Sequence, residues 1–455
     1  MGFDLNKHQS KEWADRSLAS VWHPCTQMKQ HEQTPPLAIA RGAGPWLYDF
    51  DGNRYLDAIS SWWVNLFGHA NPAIGAALKA QLDTLEHTML AGCTHQPVVE
   101  LSERLAALTG GVLGHAFYAS DGASAVEIAL KMSFHYWRNH GQTAKQEFAC
   151  LAHSYHGETI GALGVTDVAL FRDAYDPLLR RAHLVASPDA RGAQPGESDA
   201  DVAARALVEV RALFTARHEQ LAAIIVEPLV QCAAGMAMYH PSYLSGLREL
   251  CDQYGVHLIA DEIAVGCGRT GTFFASEQAG VWPDLLCLSK GISGGYLPLS
   301  VVLVRDFIYE AFYDDEIARG FLHSHSYTGN PLACTAALAT LDLFKNEDVL
   351  ASNRVKAATL AKHMAPLASH PKVRHLRQSG TIFAFDVQLG SQVNGQAASA
   401  FARRFFETGL RHELMIRPIG RTVYFMPPYV LTDAELELLA WRTRATLEYV
   451  LNTYE

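Results

Sequence analysis

Four short segments place a chemically able residue directly after an apolar run and surround it with glycine or hydroxyl residues. In DLLCLSKGISGGYLPLS the run ends at Ser289 and Lys290 and passes into glycines. A lysine held at a strand end among apolar neighbours loses proton affinity and becomes a nucleophile toward carbonyls. In VHLIADEIAVGCGRTG the run ends in Asp261 and Glu262. A carboxylate at the carboxyl end of a central strand lies in the ligand crevice of an open sheet. From Ala116 to Trp137 a strand-like run meets Ser120, Asp121, Gly122, Ala123 and Ser124, then a long amphipathic helix. Glycine lets a ligand approach the backbone, and the first-turn N–H groups of the helix suit a phosphate. The fourth segment, FLHSHSYTGNPLA (residues 321–333), is rich in hydroxyls and enters a helix through Asn330 and Pro331.

Each segment also has a plainer reading. The turn before Ala123 is an ordinary helix cap in many proteins. The strand-end acid would suit a nucleotide site, but no G-x-x-x-x-G-K-[ST] accompanies it. A literal G-x-G-x-x-G runs from Gly266 to Gly271, yet DEIAV separates it from the strand and no helical opening follows. It therefore reads as a flexible active-site loop rather than a dinucleotide fingerprint. His323 and His325 share one short loop without a matching acid or cysteine cluster, so no metal site is expected. The order of features favours chemistry: a phosphate turn, then an acid, then an amine, with glycine leaving room for a planar cofactor. Paired with a pyridine nitrogen, the acid keeps that nitrogen protonated and makes the ring an electron sink.

These residues need a sheet to position them. From about residue 70, helix-like and strand-like segments alternate, which predicts an α/β domain around a mostly parallel sheet. Helices are expected at Pro72 to His87, Pro97 to Leu108, Ala123 to Trp137, Val202 to His218 and Pro241 to Tyr254. Strands are expected at Ala116 to Ala119, Phe148 to Ala152, Ala222 to Val226, Val256 to Ala260, Leu285 to Leu288 and Ser300 to Val304. The polar stretch Ser187 to Ser198 reads as a surface loop. After the helical Pro331 to Phe344 come longer helices with few strands, Thr381 to Val387 and Thr422 to Met426. The expected division is a large domain over 61–335 and a smaller α+β domain built from 1–60 and 336–455.

Composition permits this fold and excludes other classes. About half of the 455 residues are apolar and 18% are charged, enough for a large core. With 37 basic and 47 acidic residues the net charge is -10, and no basic patch of groove size exists, so nucleic acid is not an expected partner. The stretch MGFDLNKHQSKEWADRS lacks the features of a signal or transit peptide, so a cytoplasmic protein is expected. The most apolar run, Leu221 to Val230, is too short to span a membrane and contains Glu227 and Pro228. The eight cysteines form no C-x-x-C pair, which predicts reduced, mostly buried thiols.

Over almost the whole chain, WHPCTQMK, SSWWVNLFGH (Ser60 to His69), HSYHGET (His153 to Thr159), VEPLVQ, DEIAVGCGRTG, LCLSKG, SHSYTGNPLA and MIRPIGRTVYFMPPY resemble the class III aminotransferases. The resemblance implies fold type I, with a mostly parallel seven-stranded sheet in the large domain, and pyridoxal 5'-phosphate as cofactor. Within the family, the tandem tryptophans and the R-P-x-G segment point to the branch that converts 8-amino-7-oxononanoate to 7,8-diaminononanoate in biotin synthesis. S-adenosyl-L-methionine is the usual donor there. Another class III transaminase, acting on an ω-amino acid or a diamine, is the alternative.

By that resemblance Lys290 carries the cofactor as a Schiff base, Asp261 pairs with its ring nitrogen and Tyr155 stacks on the ring. Gly122 and Ala123 give backbone N–H groups to the phosphate. His325 and Ser326 complete the phosphate site from a neighbouring subunit, so a homodimer with shared active sites is implied. Trp62 and Trp63 line the substrate pocket, Ser324 lies near the substrate, and Arg417 binds the carboxylate of the long acceptor. Tyr424 and Arg269 are further pocket candidates. The chain departs from the family pattern at Cys25, where a substrate-contacting Tyr is usual, at Ala123 for Ser, and at Cys267 for an aromatic residue. Cys232 and Ala234 replace glycines, and Ser326 replaces Thr. The identity of the amino donor stays open, with lysine as the other candidate.

Overall fold

The apolar runs become a seven-stranded sheet in the computed structural model, which describes residues 9–389 and 395–452. Its strands are β1 (His115–Ala119), β2 (Glu147–Leu151), β3 (His183–Val185), β4 (Leu221–Val226), β5 (His257–Asp261), β6 (Leu285–Leu288) and β7 (Ser300–Val304). The spatial order is β1-β7-β6-β5-β4-β2-β3. Strand β7 is antiparallel to both neighbours, β6 and β1. The remaining pairs are parallel, so β1 points the same way as β2 to β6.

Strands β4 to β7 are buried along their whole length, which explains why they read as unbroken apolar runs instead of alternating patterns. Helix Gly122–Asn139 covers one face, packing on Cys150, Ala223, Ile225, Ile259, Leu285, Cys287 and Val302. Helices Asp199–Arg217 and Ser242–Tyr254 cover the other, where Ala149, Leu151, Ile224, Val226 and Leu258 point. The period of two along each strand thus feeds two separate cores.

Strand β3 is absent from the sequence-based expectations because only one of its three residues, Val185, is buried. The helix expected over Pro72 to His87 stops at Leu82, and Gln81 turns its amide onto the Leu85 carbonyl. Cys25 and Cys93 are exposed, while the other six cysteines are buried.

The chain forms two compact units, residues 73–355 with 377–384, and residues 1–72 with 356–376 and 385–455. The first holds the large sheet. In the second, strands Ile39–Ala43, Trp46–Asp49 and Arg54–Asp57 form an antiparallel meander, and Leu414–Met415 adds in parallel to the last of them. Helices Gly395–Arg411 and Asp433–Asn452 belong to this unit and pack on each other.

Candidate functional site

Strand direction puts the strand-borne chemical segments of the larger unit at one edge of the sheet. The turn 120–124 follows β1, residues 153–157 follow β2, Glu227 follows β4, Asp261 ends β5, and Lys290 follows β6. Register completes the arrangement: Asp261 pairs with Cys287, three residues before Lys290, and Ala260 pairs with Val226, the residue before Glu227.

Lys290 enters a 3-10 turn with φ +47, a left-handed conformation uncommon for a non-glycine residue. Burial lowers the proton affinity of its amine, and the charges of Asp261, Cys232 and Glu227 oppose that fall. Asp261 is 4% exposed; its Oδ2 lies 2.7 Å from His156 Nδ1 and its Oδ1 accepts the Ile263 N–H at 3.0 Å. Glu262 does different work. It accepts the N–H groups of Ala275 and Ser276 and the Ser276 hydroxyl at 2.6, 2.8 and 2.6 Å, and burial pushes its carboxyl up to about 7.

Glu227 is the second acid of the site. Burial, with Asp261 adding to it and His156 opposing, brings its carboxyl up to about 7. It accepts the Tyr155 and Cys232 N–H groups, each at 3.1 Å, and so fixes the backbone that carries the Tyr155 ring. The Tyr155 hydroxyl donates to Glu158 at 2.9 Å.

Residues 153–157 also pack on the phosphate turn. Gly157 has φ +120, and a Cβ there would lie 2.6 Å from that of Ala123. The methyl of Ala123 therefore fills a gap that only glycine leaves open. Asp121 caps the helix through the Ser124 N–H and hydroxyl at 2.9 and 2.8 Å. The first-turn N–H groups of Gly122 and Ala123 have no partner within the helix, and its positive dipole end adds to their pull on an anion. A strand-end amine, a buried acid and an anion-binding helix start, gathered at one edge, fit a phosphorylated pyridine aldehyde.

Sequence reasoning missed His156 and Glu227 as individuals. Both lie inside quoted motifs, but their roles come from tertiary neighbours. His156 Nε2 is buried without a hydrogen-bond partner among the described residues.

The G-x-G-x-x-G segment is a correction. It was expected to be a flexible loop, yet Cys267, Arg269 and Thr270 are buried. Gly266 bonds back to the Glu262 carbonyl at 2.9 Å, Gly268 to that of Phe273 at 3.2 Å, and Thr381 to that of Arg269 at 2.9 Å. The anchoring of 275–276 by Glu262 closes the segment into packed turns. Arg269, 1% exposed, joins Glu227, Asp261 and Lys290 as a charge felt by the Cys232 thiol, which burial raises well above its usual range.

The loop 320–330 packs against helix Gly122–Asn139 and its core. His323 Nε2 and His325 Nε2 lie 2.9 Å apart, and His323 Nδ1 lies 2.8 Å from Lys131 Nζ. Ser324 and Ser326 are exposed, as are Leu322 and Tyr327. Among the described residues no group of three or more His, Cys, Asp or Glu side chains could hold a metal.

The remaining candidates belong to the smaller unit, where the structure brings four of them together. Ser60, Ser61, Trp62 and Trp63 have φ values of +51, +47, +71 and +73, a left-handed turn made without glycine. Each such residue costs about 1–2 kcal/mol. Trp63 is buried and donates its indole N–H to the Tyr424 hydroxyl at 3.1 Å. Trp62 is 45% exposed, and the Arg417 guanidinium lies 5.2 Å from the centre of its ring. Cys25, also at positive φ (+51), is exposed.

Comparison with known proteins shows the family. The model of the family Aminotransferase class-III matches residues 27–446. The adenosylmethionine-8-amino-7-oxononanoate aminotransferase of Helicobacter pylori is 45% identical over 426 residues, covering 92% of this chain and 94% of its own. The crystal structure of the enzyme of that name from Methanocaldococcus jannaschii is 33% identical, with a TM-score of 0.90 over 96% of this chain and 99% of its own. An amine transaminase from an uncultivated Pseudomonas species, in a PLP-bound form, is 31% identical with a TM-score of 0.88, covering 95% and 99%. This chain belongs to the class III aminotransferases.

Proposed function

We propose that the protein is a pyridoxal-phosphate-dependent transaminase that converts 8-amino-7-oxononanoate to 7,8-diaminononanoate in biotin synthesis, with S-adenosyl-L-methionine as amino donor. The observation that carries the transaminase is the meeting of Lys290, Asp261 and the start of helix Gly122–Asn139 at one sheet edge. The acceptor rests on the Trp62, Trp63, Tyr424 and Arg417 cluster and on full-length identity to relatives bearing that name.

When bound, pyridoxal phosphate supplies a carbonyl that captures amines and a ring that delocalises the electron pair left at the reacting carbon. Lys290 Nζ would hold the cofactor, and its amine would carry the proton at the reacting carbon. Asp261, steadied by His156, would keep the ring nitrogen protonated. Tyr155, on a backbone tied to Glu227, would cover the ring. Gly122 and Ala123 take the phosphate. Trp62 and Trp63 form an aromatic wall for both substrates, while Arg417 takes the carboxylate of the acceptor.

His325 and Ser326 complete the phosphate site of a partner subunit in a cytoplasmic homodimer, and Ser324 lies near the substrate. Supporting this, the loop exposes Ser324 and Ser326 together with Leu322 and Tyr327. No helix among the described residues is long and apolar enough to cross a membrane.

The deciding experiment loads the purified protein with pyridoxal phosphate and adds S-adenosylmethionine, lysine or a diamine separately. Bleaching of the visible cofactor band by S-adenosylmethionine, then formation of 7,8-diaminononanoate by mass spectrometry, is expected. Bleaching by lysine alone reassigns the donor, and Cys25 is then the first position to exchange for Tyr. Absence of the diamine with every donor overturns the acceptor.

A further inference from the structure

The four left-handed residues Ser60–Trp63 run against local steric preference, and something must hold them there. Ser60 is tied to the Met426 carbonyl at 2.8 Å and Trp63 to Tyr424. Between these anchors, Ser61 makes its only side-chain hydrogen bond among the described residues, donating to Asp57 Oδ2 at 2.8 Å. The same oxygen lies 3.1 Å from His69 Nε2, and Asp57 Oδ1 accepts the Ile59 N–H at 3.3 Å. Asp57 is wholly buried. His69 is itself fixed: its N–H donates to the Gly44 carbonyl at 2.7 Å, and its Nδ1 lies 3.2 Å from Asn65 Nδ2. Gly42 makes room for it, since a Cβ there would lie 2.4 Å from His69 Cβ. A chain of contacts thus runs from the meander through His69 and Asp57 into the turn.

We propose that Asp57 is a positioning residue for substrate recognition: through Ser61, and braced by His69, it clamps the left-handed turn and keeps Trp62 exposed beside Arg417. Trp63 is buried and bonded in its own right, so the tryptophan that depends on the clamp is Trp62. Because Arg417 rests on the Trp62 ring, loss of the clamp releases the carboxylate site with the wall. The consequence for the acceptor rests on the function proposed above.

The test compares Ser61→Ala, Asp57→Asn and Ser61→Asn in the full-length holoenzyme. Asparagine tolerates positive φ and its amide donates to Asp57, so Ser61→Asn is the rescue variant. Ser61→Ala is expected to raise the KM for the acceptor, which loses both the wall and the carboxylate site, roughly tenfold, as for loss of a hydrogen bond to a charged group, and that for the donor, which loses only the wall, by less, with kcat within about twofold. Asp57→Asn is expected to shift KM in the same direction. Independently of any substrate, 19F NMR of 5-fluorotryptophan protein should show the Trp62 resonance, assigned with Trp62→Phe, shifted in Ser61→Ala and restored in Ser61→Asn. An unmoved resonance with unchanged KM overturns the proposal. So does a parallel fall of both half-reactions that asparagine does not rescue, which would mark a merely structural role. A shifted and rescued resonance in a protein that does not turn over oxononanoate leaves the clamp standing and overturns the acceptor.

Discussion

At the amino edge of the large sheet, Lys145 Nζ donates to the carbonyls of His218, Leu221 and Gly255 at 2.6, 3.0 and 2.7 Å. His218 and Gly255 close the helices Asp199–Arg217 and Ser242–Tyr254, so this edge collects the carbonyl ends of helices. The indole of Trp137 lies 4.4 Å from the ammonium. At the opposite edge Lys290 meets Asp261 and Glu227, beside the N–H end of helix Gly122–Asn139. Burial lowers both lysines, Lys145 to about 8. A depressed proton affinity is therefore common to the two and distinguishes neither. What differs is the company: three carbonyls match the three protons of one ammonium, while the other amine faces acids and an anion-binding helix end.

The largest expected effect belongs to Lys290→Ala, which should lose the visible cofactor band and at least about 10⁴-fold in turnover. Lys145→Met should keep both, and retained turnover in Lys290→Ala would erase the distinction. Asp261→Asn should lower kcat/KM on the order of 10²–10³-fold with the fold intact by circular dichroism. Lys145→Met should instead act on stability, because it strands buried carbonyls at about 1–3 kcal/mol each, read as a lower urea midpoint with kcat unchanged. The smallest effect is on pH. The folded pKa of Lys145 lies below the unfolded 10.5, so between about 8 and 10.5 unfolding takes up a proton and stability rises with pH. The difference in midpoint between wild type and Lys145→Met should grow in that window. A flat difference would mean that the carbonyls, not burial, set its titration.

Sequence alone made the carboxyl edge readable because acid and amine there interrupt apolar runs. Strands β6 and β7 have the expected bounds, and β5 extends one residue beyond Ala260 to include Asp261. The amino edge was not readable: Lys145 sits in the polar stretch TAKQEF, which looks like surface, and only the three distant carbonyls make it interior. Glu262 and Asp261 are neighbours in sequence, yet strand alternation sends one into a turn anchor and the other toward His156. Nor did Ser-Ser-Trp-Trp announce a left-handed turn, since it lacks the glycine or asparagine that normally marks one. That conformation is imposed by Asp57, Met426 and Tyr424, residues far apart in the chain or unremarked in its pattern.

The turn at residues 60–63 also has an evolutionary consequence. A segment that folds against its own steric preference would, with the substrate role proposed for Trp62, set heat resistance and substrate recognition against each other. A library of these four codons selected only for residual fold after heating should drift toward glycine and asparagine. The same library selected for growth without biotin should keep the tryptophans, and the gap between the two outcomes would measure how much conformational strain this lineage tolerates to hold one aromatic ring in place.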